Sequence, residues 1–167
     1  MGLDIYLISK TPIIKKGTGV FVRENGKNKE LSVEEALLRY PDSFIDQVDY
    51  ETNTVFSTNI THNLTEMADE AGIYEAVWRP YRLVSGFNIQ EGNHYAEAEF
   101  ESSVTILSSH ISKVIEAGLN DMKRRPDHYK KFDSDNGWGT YSDFVPFLGE
   151  YLKALKEYPD AVVNISR

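Results

Sequence analysis

Apolar and polar residues alternate from the start of the chain. In GLDIYLI, Leu3, Ile5 and Leu7 share one face, with Gly2, Asp4, Tyr6 and Ile8 on the other. A period of two over this length predicts a strand. After a turn rich in Lys and Gly, TGVFVRE predicts a short second strand, and Asn25-Gly26 in ENGK is a turn signal. SVEEALLRYP predicts a helix, with Ser32 and Glu35 as a capping box and Pro41 as its stop. DQVDYETNTVFST is expected to form a hairpin turning at Thr52-Asn53. A helix should then start at Asn63, with Glu66 three residues on, bury Leu64, Met67, Ala68 and Ala71, and stop at Gly72.

The second half reads mostly as helix. HYAEAEFES, with Glu97, Glu99 and Glu101 in one phase, fits either an exposed strand or a lead-in to a helix. Apolar positions from Val104 to Met122 recur at steps of three and four, predicting a long helix over Ser102 to Arg125. SDFVPFLGEYLKALKEYP predicts another, capped by Ser142 with Pro146 in its first turn, and AVVNIS closes as a strand. There is no regular β-α-β rhythm, no repeat and no linker. The expectation is one α+β domain over residues 1–167, a mainly antiparallel sheet packed against three or four helices.

Composition narrows the function classes. The chain of 167 residues has no cysteine, which removes disulfides, thiol nucleophiles and cysteine-ligated metals. A net charge of -8 disfavours a nucleic-acid partner. The cations of KRRP at 123–126 suit the end of a helix instead. No apolar run reaches the roughly 20 residues of a membrane span, and Asp4 interrupts the only apolar N-terminal stretch. No membrane partner and a cytoplasmic location are therefore expected.

Candidate chemistry gathers in two stretches. In ITHNLTEMADEAGIYEAVWRP, His62 and Asn63 stand at a helix mouth, where free N–H groups can seat an anion. Asn63 serves equally as a cap. Tyr74, Glu75, Trp78 and Arg79 follow; a Trp-Arg pair stacks on and neutralises a planar anion, or forms core plus an Arg–Glu pair. In SDNGWGTY, Gly137 and Gly139 flank Trp138 and lead to Tyr141. This loop reads as an aromatic plug or as the wall of a pocket. His62 and Glu66 are spaced as half a metal site, but no further ligands follow, so no metal and no cofactor are expected.

MGLDIYL, THNLTEMADEAGIYEAVWRP and FDSDNGWGTYSDFVPFLGEYLKALKEYPDA together resemble a family of small proteins frequent in bacteriophages and in prophage regions of bacterial genomes. The resemblance implies a phage-encoded accessory protein rather than a virion building block, and it brings no catalytic residue with it. Three readings follow. The first is a non-enzymatic counter-defence binder that engages a host protein or sequesters a nucleotide-like ligand, in the host cytoplasm. Its site would be His62, Asn63, Tyr74, Trp78, Arg79, Trp138 and Tyr141, with both indoles stacking on the ligand. The second is a small hydrolase or transferase with His62 as general base, oriented by Glu75 or Asp4. The third is a homodimer joined through the aromatic loop. The first two require His62, Trp78 and Trp138 to converge on one open cavity.

Overall fold

The computed structural model describes residues 2–24 and 27–167, so the expected Asn25-Gly26 turn lies outside the described residues. The chain runs through β1 (Gly2–Gly17), the hairpin β2 (Phe21–Glu24) and β3 (Lys27–Glu30), α1 (Val33–Arg39) and β4 (Val48–Thr61). A 3-10 turn (His62–Leu64) leads into α2 (Thr65–Glu70) and α3 (Tyr74–Trp78). After a second 3-10 turn (Pro80–Leu83) come α4 (His94–Ser103), α5 (Ser108–Arg124), α6 (Pro126–Tyr129), α7 (Tyr141–Glu157) and β5 (Val162–Ser166). At 47% helix and 26% strand, with the two interspersed around antiparallel sheets, the class is α+β as expected.

The main sheet has the order β4-β1-β5, antiparallel throughout. Alternation in β1 does what its sequence predicts. Leu3, Ile5 and Leu7 are fully buried on one face and pack into a cluster with Ile111 and Ile115 of α5 and Phe144 and Leu148 of α7. Burying such side chains contributes about 1.5–3 kcal/mol each.

Two expectations about the first third fail for one reason. β1 does not stop at Ile8 but continues to Gly17, and DQVDYETNTVFST is no hairpin but the body of the single strand β4. Pairing slips between Ile8↔Thr54 and Ile13↔Thr52, so a bulge in β1 sits opposite Asn53. Pro12, which has no N–H to offer, falls inside the bulge, and the Asn53 amide donates to Ser9 O at 2.9 Å. Asn53 thus fastens a bulge instead of making a turn.

The helices need smaller corrections. HYAEAEFES is α4, and Val104 to Leu107 precede α5 rather than belonging to it. Asn63 does not cap α2; Thr61 accepts from its N–H, and a 3-10 turn intervenes. Thr140, not Ser142, caps α7 by accepting from Asp143 N–H, which puts Pro146 in the second turn. Gly72 ends the α2 segment with φ +69°, as expected for a left-handed stop.

One buried group is left without a partner. The Tyr151 ring stacks on Phe56 with centroids 6.0 Å apart, and its hydroxyl makes no hydrogen bond among the described residues. Burial alone pushes that phenol up from its ordinary pKa. Tyr151→Phe should therefore raise stability by about 1 kcal/mol, because it removes a desolvated hydroxyl and keeps the ring. Urea denaturation tests this, and a lower midpoint would show that the hydroxyl has a partner.

Candidate functional site

The expected residues separate into two neighbourhoods joined by His62. At the first, the loop between α6 and α7 carries Trp138 out into solvent, 72% exposed. Its backbone is held from both sides. Trp138 N–H donates to Asn136 Oδ1 at 2.9 Å, while Trp138 O accepts from Ser134 Oγ at 2.7 Å and from Asn63 Nδ2 at 2.8 Å. The Asn63 side chain is therefore a tether between the end of β4 and the aromatic loop.

Gly139 makes the approach close. Its φ is +103°, and a Cβ there would lie 3.1 Å from Asn63 Cβ and from Thr61 Cγ2. Only glycine lets the loop lie against this segment without strain. Between the loop, the last residues of β4 and the start of α7 runs a groove of about 500 Å³. Ile60, Leu64, Trp138, Pro146 and Phe147 supply its apolar lining, and among the described residues Asp143 is its only charged one.

The second neighbourhood is enclosed. The Trp78 indole is 2% exposed, stacks on Tyr74 at 5.7 Å and lies 6.3 Å from Phe144. Its Nε1–H donates to His62 Nδ1 at 3.1 Å. An indole N–H can only donate, so Nδ1 is bare and the His62 proton resides on Nε2. Beyond Trp78, Arg79 donates to Tyr74 Oη at 3.3 Å and Tyr81 Oη at 2.9 Å, which hold its guanidinium above the usual range.

Tyr81 Oη donates to Glu97 Oε1 at 2.8 Å, and Arg82 Nε donates to the same oxygen at 2.6 Å. Glu97, 6% exposed, is the anchor of this network. Burial pushes its carboxyl up, but hydrogen bonds from Tyr81 and Arg82 and the charges of Arg82 and Arg79 outweigh burial and hold it below the usual range. Arg167 reaches across to donate to Trp78 O at 3.3 Å and pairs with Glu101. Glu97 was invisible as an anchor in the sequence, where it read as one of three exposed acids.

His62, Trp78 and Trp138 thus do not share an open cavity. Trp78 faces the interior, Trp138 faces solvent, and His62 lines neither the groove nor a cavity with them. Two indoles cannot sandwich a planar ligand here. Tyr141 is turned away as well: its hydroxyl donates to Met122 O at 3.1 Å and its N–H donates to Asp133 Oδ1 at 2.5 Å.

The general-base arrangement is not assembled either. His62 Nδ1 is occupied by Trp78, Glu75 lies 3.8 Å from Arg82, and neither Glu75 nor Asp4 hydrogen-bonds the imidazole. Among the described residues, no group of three or more His, Asp or Glu side chains is placed to hold a metal ion, and no helix is long and apolar enough to cross a membrane. Compared with known proteins, the chain matches no family model, no curated protein and no solved structure.

Proposed function

We propose that this protein is a phage-encoded accessory binding protein, without catalysis, that engages a host protein through the groove beneath Trp138. The observation that carries the reading is an indole 72% exposed on a loop whose backbone is fixed by Asn63, Ser134 and Asn136. An exposed tryptophan on a fixed backbone has less conformational freedom to lose on binding, and such aromatic anchors dominate interfaces. The apolar lining of the groove gives a partner side chain somewhere to go. The enclosed Trp78 withdraws support from the shared-cavity site expected for the binder and for the hydrolase, and with it the nucleotide sandwich; the host-protein reading now rests on Trp138 and its groove alone.

Trp138→Ala should leave the melting temperature nearly unchanged and abolish co-purification of the host partner from bacterial lysate. Phe44→Ala is the control, since Phe44 is 95% exposed on the loop between α1 and β4. A partner retained by Trp138→Ala, or lost equally from both variants, would refute the reading. A switch from dimer to monomer in light scattering, with no other partner, would favour self-association through the same loop.

A further inference from the structure

The opposite face of the sheet carries a second hollow of different chemistry. Strand pairing sets Asp4 opposite Asn59 and Tyr6 opposite Ser57. Side chains alternate along each strand, so these four point away from the face that buries Leu3, Ile5 and Leu7. They make a two-by-two array of a carboxylate, an amide, a phenol and a hydroxyl. The β2–β3 hairpin lies across from it and contributes the directly paired residues Arg23 and Asn28 to the wall, which Thr58 also lines. The open hollow between them is about 500 Å³, within the range of roughly 300–1,000 Å³ usual for small-molecule sites.

Among the described residues, none of these side chains hydrogen-bonds to another protein group. The nearest acid on the hairpin, Glu24, is paired with Arg39 rather than with Arg23. The lining therefore keeps its donor and acceptor capacity free for a ligand. Its charges balance, with one carboxylate and one guanidinium. An anion would meet Asp4, a cation would meet Arg23, and an apolar molecule would desolvate these polar groups with nothing in return.

A neutral molecule dense in hydroxyls escapes all three penalties. Neighbouring hydroxyls each donate and accept, and the planar carboxylate, amides and guanidinium offer paired acceptors and donors at matching spacing. Tyr6, 37% exposed, adds a ring against which the C–H face of a pyranose can lie. We infer that this hollow is a binding site for a neutral saccharide unit. The inference goes beyond the partner groove, with which the hollow shares only Asn59.

The test is amide-resolved NMR of the full chain titrated with glucose, galactose, N-acetylglucosamine and maltose. At least one should shift the amides of Asp4, Tyr6, Ser57 and Asn59 with Kd about 1 mM. Asp4→Asn and Tyr6→Ala should each weaken binding about tenfold or more, and Trp138→Ala should leave it unaltered. If either sheet variant fails to fold, Arg23→Ala on the exposed hairpin takes its place, with the same loss expected. Absence of any shift with all four sugars, shifts confined to residues elsewhere, or equal shifts with serine and AMP would overturn the assignment. Loss of sugar binding in Trp138→Ala would overturn it too, while leaving the partner groove standing.

Discussion

Glu97→Gln should lower the stability by about 3 kcal/mol at neutral pH, near the low end for breaking a buried ion pair because both arginines keep some contact with water. The carboxylate is 6% exposed and gathers Tyr81, Arg79 and Arg82 onto one oxygen. An amide of the same shape keeps some hydrogen bonds but leaves Arg79 without its counter-charge and Arg82 with only Glu75, 3.8 Å away. The pH dependence carries the same information. Glu97 is held below its ordinary value of 4.5, so the stability it contributes is fully present above that pH and is lost as pH falls through the lower folded value. Chemical denaturation of the wild type should therefore weaken below pH 4.5, and the variant should lack that share of the acid response. Equal midpoints for the two proteins at neutral pH would show that the network contributes nothing net.

Gly118→Ala should cost about 2 kcal/mol, even though alanine is the better helix former by about 1 kcal/mol. The reason is close packing of α5 on the bend between α2 and α3. A Cβ at Gly118 would lie 2.2 Å from Ile73 Cγ2 and 2.9 Å from Ala71 O. The side chain can be trimmed but the carbonyl cannot. The double variant Gly118→Ala, Ile73→Ala should accordingly lose less than the sum of the single losses, with part of the penalty remaining. Strict additivity of the two changes in urea midpoints would exclude the predicted contact.

The contrast between what the sequence foretold and what it concealed follows the range of the forces involved. β1 and α7 announce themselves because their buried faces, Leu3-Ile5-Leu7 and Phe144-Leu148-Tyr151, follow the period of their own backbone. The hairpin at Thr52-Asn53 looked convincing because its turn chemistry is local. It lost to twelve residue pairs between β4 and β1, a pairing no local window contains. α4 was ambiguous because its most buried position is Glu97, and a charge satisfied from Arg79 and Arg82 reverses the usual sign of the pattern.

The candidate site followed the same rule. Sequence pointed at Trp138 through its flanking glycines, and at Trp78 through its neighbour Arg79. Which indole faces water depends on Phe144 and Tyr74 packing around Trp78, and on Asn63 reaching Trp138 O. Asn63 itself looked sufficiently explained as a cap, which hid its longer reach. The tripartite hollow of Asp4, Tyr6, Ser57, Asn59 and the hairpin needed the β1–β4 register before its residues could be seen as neighbours.

That β1 lies in the middle of the sheet has a consequence for synthesis. Ile5 pairs with Ile165, so β1 must keep one hydrogen-bonding flank vacant until β5 has been made and has left the ribosome. A nascent chain halted before β5 emerges would present an apolar, unsealed ribbon to its surroundings. Chaperone dependence should accordingly fall once β5 has emerged.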